Sequence, residues 1–397
     1  MHYFFILGRN PALSVAEIEQ VLYGKIKERY FGASFYIIDT ESRLDVEELR
    51  LTLGGLVKIG QIILKTSKEA CFEETLAILK KGAGAKKLNF SINDYGYAFA
   101  VKDALRIKKQ LIKSDIKARF VFGKDPQLSS VSTQKNILDK DGIELNCFKI
   151  KKQIWLGQTL ACQPFAALSR RDFGRPARDH LSGMLPPKIA KIMINLGRFA
   201  PPSVLLDPFA GSGTILMEAA LMNYKNLIGS DVEEKSTSNA LENLKWLVSR
   251  GFVPAESIAK IKIFQADARE LDKKIPVASI DGIVTEPYLG PPLSRRVARE
   301  QILKIKSELE QLYLLSFEVF KKILKPGGKI VIIFPVFMSE RKVFLDILER
   351  IEKLGFEIKN PTEQCGIDFS KSMPRGGIIY SRPDQRVARE IFIFEKT

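Results

Sequence analysis

Apolar runs closed by an acid recur through the second half of the chain, with stretches of helical period between them. Residues 204–206 are a short run led by a β-branched side chain, and Ile215 opens an apolar helix that reaches Leu221. Residues 226–231, 261–267 and 280–286 are further runs, ending in Asp231, Asp267 and Glu286. Residues 329–334 form a fifth, reached through the Pro326-Gly-Gly turn. Helical patterning occupies residues 236–250, 295–324 and 339–354. Strands alternating with helices predict a doubly wound α/β sheet. Ligands of such sheets bind beyond the carboxyl ends of the strands, so the acids line the expected ligand edge.

The front of the chain reads differently. Apolar runs at its start, over 30–38 and over 57–64, with helices over 13–22 and 46–53, predict a small α+β domain spanning residues 1–64. Residues 65–162 follow as a basic module. A stretch rich in Arg, Pro and Gly, residues 163–187, then leads into a sheet domain that completes residues 163–397. No internal repeat or low-complexity tract interrupts this order.

The loop after the first of the alternating strands carries the strongest chemical signal. In Asp207-Pro-Phe-Ala-Gly-Ser-Gly-Thr214, Gly211 and Gly213 let the backbone turn tightly and leave room where a side chain would collide with a ligand. The spacing fits neither the dinucleotide fingerprint nor the phosphate P-loop. Gly-Ser-Gly alone is more often a plain turn; Asp207 and the acids downstream reverse those odds. Asp231, about twenty residues past the glycines, stands where such sheets place a carboxylate that accepts ribose hydroxyls.

Taken together, the loop, Asp231, Asp267 and the acid-Pro-aromatic turn Glu286-Pro-Tyr288 resemble the S-adenosylmethionine-dependent amino-methyltransferases. Upstream, Arg171-Asp-Phe-Gly-Arg-Pro176, Asp179 and Gly183-Met-Leu-Pro-Pro-Lys-Ile-Ala190 are similar to the segment preceding the donor motif in THUMP-domain methyltransferases that make N2-methylguanosine in tRNA. Gly123-Lys-Asp-Pro-Gln-Leu-Ser-Ser-Val and Trp155-Leu-Gly-Gln-Thr-Leu-Ala161 resemble the closing part of a THUMP domain. The resemblance implies a Rossmann-like class I methyltransferase domain preceded by an α+β, ferredoxin-like and THUMP-like RNA-binding region. It also implies S-adenosylmethionine held by Asp207, Phe209, Gly211, Gly213, Thr214, Asp231, Val232, Asp267 and Ala268, and tRNA as partner.

The acceptor turn departs from the family's Asp/Asn-Pro-Pro-Tyr. In the gapless register Glu286 takes the acid position, Tyr288 replaces the second proline and Leu289 falls where the stacking aromatic sits. A one-residue slip restores Tyr288 as the stacker and puts Thr285 at the acid position. The chemistry favours an acid: a guanine amine is a poor nucleophile and must be held in line with the methyl carbon. Glu286 and the Pro287 carbonyl would accept its two N–H hydrogens, the carboxylate then taking the released proton, while Tyr288 or Leu289 stacks on the base. Glu286, Pro287 and Tyr288 are the candidate catalytic residues.

Charge adds the polymer. The 397 residues carry a net charge of +16, and residues 61–200 hold 26 Lys plus Arg against 12 Asp plus Glu. A module making phosphate contacts would look like this. Lys80, Lys81, Lys108, Lys109 and Arg175 are the candidate RNA contacts, although any one lysine pair is more often a solvated face. Cys71, Cys147, Cys162 and Cys365 are scattered, with only His2 and His180 to assist, which argues against zinc and against a disulfide framework. No apolar run approaches the ~20 residues of a membrane span, and the opening Met1-His-Tyr-Phe-Phe-Ile-Leu reads as a core strand, so a cytoplasmic protein without metal, membrane or obligate protein partner is expected. The leading reading is a tRNA guanine-N2 methyltransferase, guanine-10 being the target by resemblance. The alternatives are an adenine-N6 amino-methyltransferase acting on DNA or another RNA, and a non-catalytic RNA-binding protein retaining the donor fold.

Overall fold

Phe4 to Leu7, Phe35 to Ile38 and Leu145 to Phe148 are buried throughout, and each lies in the interior of a sheet. A computed structural model describes residues 1–96, 99–123, 125, 127–178, 184–293, 298–339, 341–383 and 385–397; the sequence readings at Lys124, Pro126, Asp179, His180, Gly183 and Arg295 lie outside these residues. The chain forms two compact units, one of Met1–Val15 with Leu22–Phe165, the other of Ala16–Val21 with Ala166–Thr397.

Up to Phe165 the chain follows the order β1 (His2–Leu7), α1 (Pro11–Val21), β2 (Ile26–Gly32), β3 (Phe35–Thr40), α2 (Val46–Thr52), β4 (Leu56–Thr66), α3 (Cys71–Lys81), β5 (Leu88–Tyr95), α4 (Val101–Lys113), β6 (Ala118–Phe120), α5 (Ser130–Asn136), β7 (Ile143–Ile150) and β8 (Gln153–Cys162), all in the first unit except the second half of α1. The strand expected over 30–38 is a hairpin instead: Gly32 pairs with Phe35 across a tight turn, so the run is divided between β2 and β3. Residues 1–64 and 65–162 share one eight-stranded sheet, ordered β2-β3-β1-β4-β8-β7-β5-β6. They also share a core, because Phe4, Phe35 and Ile37 pack with Tyr95, Phe148 and Trp155.

The second unit continues with α6 (Phe165–Phe173), α7 (Pro187–Gly197), β9 (Val204–Asp207), α8 (Thr214–Leu221), β10 (Asn226–Asp231), α9 (Glu234–Ser249), β11 (Lys262–Gln265), β12 (Ile280–Thr285), α10 (Arg299–Ile323), β13 (Leu324–Met338), β14 (Lys342–Val343), α11 (Leu348–Lys353), β15 (Phe356–Ile358), β16 (Ile378–Tyr380) and β17 (Val387–Lys396). Its sheet runs β11-β10-β9-β12-β13-β17-β15, with β9 to β13 parallel and β17 reversed. Helix α10 buries Ile302, Ile305, Leu309, Tyr313, Phe317 and Phe320 at helical spacing. That stripe packs on Ile283, Ile332, Phe334, Phe392 and Phe394 of the sheet. The helix expected over 339–354 is only α11. Ahead of it β14 pairs back on β13, and Leu345 and Ile347 are drawn into the core.

Candidate active site

The glycine loop joins the end of β9 to the start of α8. Gly213 has φ +79°, and a Cβ there would lie 2.9 Å from the Ala240 Cβ on α9, so only glycine fits. Gly211 has φ +49° but faces open space, leaving a bare stretch of backbone. Asp231 caps that stretch: its Oδ2 accepts the Gly211 N–H at 2.9 Å, and its Oδ1 accepts the Glu233 N–H at 3.0 Å. Val232 beside it is exposed, Phe209 packs against the sheet core, and Ala268 is buried after β11. Asp267 accepts the N–H of Arg269 at 2.9 Å and its guanidinium at 2.5 Å, which holds the Asp267 carboxyl below the usual range.

The segment upstream of the loop is built into the same region. Arg171 grips Glu218 of α8 through Nε at 2.6 Å and a terminal nitrogen at 3.0 Å, both side chains buried. Asn243 of α9 accepts the Ala177 N–H and donates to the carbonyls of Ala177 and Ser212. Arg175, expected among the RNA contacts, is buried; it donates to Thr214 Oγ1 at 2.6 Å at the first turn of α8. A side chain so enclosed offers no surface to a phosphate, and its place is against the glycine loop.

At the next strand end, Thr285 is wholly buried and donates to Asp207 Oδ1 at 2.7 Å. Asp207, buried too, also accepts the Phe209 N–H at 3.3 Å. Burial pushes its carboxyl up to about 7; the charges of Asp231 and Glu286 add to this, while the two hydrogen bonds oppose it. Glu286 is the next side chain out. It pairs with Arg389 of β17, whose Nε donates to Oε1 at 2.5 Å and whose terminal nitrogen lies 3.4 Å from Oε2. Burial raises the Glu286 carboxyl, and the Arg389 charge and hydrogen bond work against that rise. Pro287 is buried; Tyr288 is exposed, while its carbonyl accepts the buried Tyr313 hydroxyl of α10 at 2.7 Å.

Asp207, Asp231, Glu286 and the two glycines thus gather at one sheet edge; the sequence reading missed Arg389 and Asn243, and it weighed Thr285 only as an acceptor-turn residue rather than as the partner of Asp207. The signal for Arg389 was a charged pair, Arg389-Glu390, between apolar residues of β17. The expected RNA-contact lysines belong to the first unit. Lys80 and Lys81 sit in the last turn of α3, Lys108 and Lys109 on α4, with Lys80, Lys81 and Lys109 exposed and Lys108 half-buried. These helices bury their opposite faces in one shared core. Among the described residues no cluster of His, Cys, Asp or Glu could hold a metal ion, and no helix is long and apolar enough to cross a membrane.

A seven-strand order with one reversed strand, and a glycine loop after the interior strand β9, define a class I methyltransferase fold. Residues 175–360 match the family described as UPF0020: RMKL-like, methyltransferase domain. Over 161 residues the chain is 34% identical to the "Probable tRNA (guanine(10)-N2)-dimethyltransferase" of Methanothermococcus thermolithotrophicus, covering 40% of this chain and 84% of that one. It is 27% identical over 293 residues to the "tRNA (guanine(10)-N2)-dimethyltransferase" of Pyrococcus abyssi, covering 67% of this chain and 77% of that one. The solved structure of TrmN from Thermus thermophilus shares the fold over 100% of both chains, with a TM-score of 0.56 at 17% identity. This chain belongs to the tRNA (guanine-N2) methyltransferase family.

Proposed function

We propose that the protein transfers a methyl group from S-adenosylmethionine to the exocyclic N2 of a guanosine in tRNA. The observation that carries this reading is the placement of Glu286-Pro287 at the end of β12, next to the glycine loop of β9. The residues suit the donor. Backbone at Gly211 is bare and open, with no side chain of its own to obstruct a ligand, and Asp231 and the exposed Val232 stand alongside. Asp231 would accept the ribose hydroxyls, Val232 and Ala268 would flank the adenine, and Asp267 would accept its amine. Asp207, Phe209, Gly213 and Thr214 shape the floor, with Arg175 bracing Thr214.

Bound S-adenosylmethionine supplies an electrophilic methyl on a positively charged sulfur. Glu286 accepts one N2 hydrogen and the Pro287 carbonyl the other, which turns the amine lone pair toward that methyl. Glu286 then takes the proton lost from N2, and Leu289, or the exposed Tyr288 beside it, stacks on the base. The first unit serves as the THUMP-type module, with Lys80, Lys81, Lys108 and Lys109 reading phosphate charge. An enzyme with tRNA as its substrate would work in the cytoplasm.

The test is direct: incubate total tRNA and genomic DNA with labelled donor, digest, and identify the methylated nucleoside by mass spectrometry. N2-methylguanosine from tRNA is expected. Methylated adenine, or no methylation beside normal donor binding, would overturn the reading.

A further inference from the structure

The acid of the acceptor turn comes with its own counter-ion. Because β17 runs against the parallel strands, its first residues lie at the edge where those strands stop, and Arg389 stands opposite Pro335 of β13. Only 9% of the Arg389 side chain and 12% of Glu286 is exposed. An ion pair so enclosed is costly to desolvate, and apolar side chains would fill the space without that cost. The pairing is also incomplete, since the second contact of 3.4 Å exceeds the ordinary N–H···O range. A guanidinium carries five N–H donors, of which Glu286 engages one closely and a second only at long range, and a carboxylate has about four acceptor directions. Asp207 does not compete for Arg389, being bonded to Thr285 and the Phe209 N–H.

We propose that Arg389 is a base-recognition residue: its guanidinium donates to the O6 carbonyl of the target guanine while Glu286 accepts N1–H and N2–H. This rests on the guanine-N2 reading above. The pair presents a donor beside acceptors, the complement of guanine's Watson–Crick edge. Adenine would set an amine against Arg389 and a lone pair against Glu286, a mismatch at both positions. Arg389 also keeps Glu286 an acceptor, because burial alone favours its protonated form. Among the described residues, the titratable groups facing Glu286 are Arg389 from β17, Asp207 from β9 and Tyr313 from α10.

The experiment compares guanosine with 6-thioguanosine at the methylated position of a tRNA transcript, that position being located first by mass spectrometry. The thio base keeps N1–H and N2 but offers sulfur, a weak acceptor, at position 6. Protonation of Glu286 therefore affects both substrates alike. Wild-type single-turnover rates should favour guanosine by about 10-fold or more. Arg389→Met should slow both substrates and bring the ratio within about 3-fold of unity. A wild-type ratio already near unity overturns the proposal without any variant, and so does an Arg389→Met enzyme that slows both while keeping the wild-type preference. Absence of N2-methylguanosine in wild-type reactions overturns the functional reading itself; guanosine methylation with an unchanged ratio overturns the role of Arg389 alone.

Discussion

Thr285 and Asp207, 78 positions apart in sequence, join the ends of two neighbouring parallel strands by a hydrogen bond of 2.7 Å with both side chains buried. The bond links the strand that leads to the glycine loop with the strand that leads to the acceptor turn. It commits the Thr285 hydroxyl to Asp207, and Glu286 is the next polar side chain along the chain.

That arrangement has a pH signature. The Asp207 carboxyl moves from its ordinary 3.8 to about 7 on folding, mainly through burial. Between these values the native state holds a proton that the unfolded chain has released. Its contribution to stability is therefore complete at low pH and falls as pH rises toward 7. Asp207→Asn cannot titrate, so its melting temperature should gain on wild type by a few degrees between pH 5 and pH 8. A difference that stays constant across that window would remove Asp207 as the source.

Asp231→Ala should weaken S-adenosylmethionine binding by about 10-fold or more, the loss expected of charge-assisted hydrogen bonds to a ribose. Affinity for tRNA should stay close to wild type. Titration calorimetry with each ligand separates the two, and an unchanged donor affinity counts against this strand end.

Glu286→Gln should lower the single-turnover rate about 100-fold or more while donor and tRNA affinities hold, because the carboxylate acts chiefly as the amine loses its proton. Glu286→Asp should be impaired as well, since the shorter arm draws the carboxylate away from Arg389. Full activity in Glu286→Gln would shift the acceptor role to another group.

Arg175→Met should cost about 1–3 kcal/mol of stability by leaving Thr214 without its buried donor, and it should weaken donor binding. Urea melts and tRNA binding read the two roles apart: a large drop in tRNA affinity with unchanged stability would return Arg175 to the RNA surface.

Replacing Lys80, Lys81, Lys108 and Lys109 with Glu should weaken tRNA binding and flatten its salt dependence, by about 0.7–0.9 in the log–log slope for each phosphate no longer neutralised. If affinity and slope both stay put, these side chains serve their helices instead; Lys80 and Lys81 already complement the dipole in the last turn of α3.

Alternation of strand and helix from Val204 onward, the glycine loop, and the acids at the ends of successive strands were all legible in the order of residues. These are local matters: side-chain period, the left-handed backbone that Gly213 adopts, and the short reach between a strand end and the next helix. Other features came only with folding. Gly32-Ala33-Ser34 is a weak turn signal between two apolar stretches, and only the pairing of Gly32 with Phe35 shows that it divides the run into a hairpin. No pattern in residues 1–162 shows that both halves share a sheet, because that depends on β4 meeting β8 across some ninety residues of chain. Arg175 lies in an arginine-rich stretch that reads as surface until the fold turns it onto Thr214. Arg389 reaches Glu286 only because β17 is inserted backwards beside β13, and strand order is settled by which apolar faces pack together, a non-local choice.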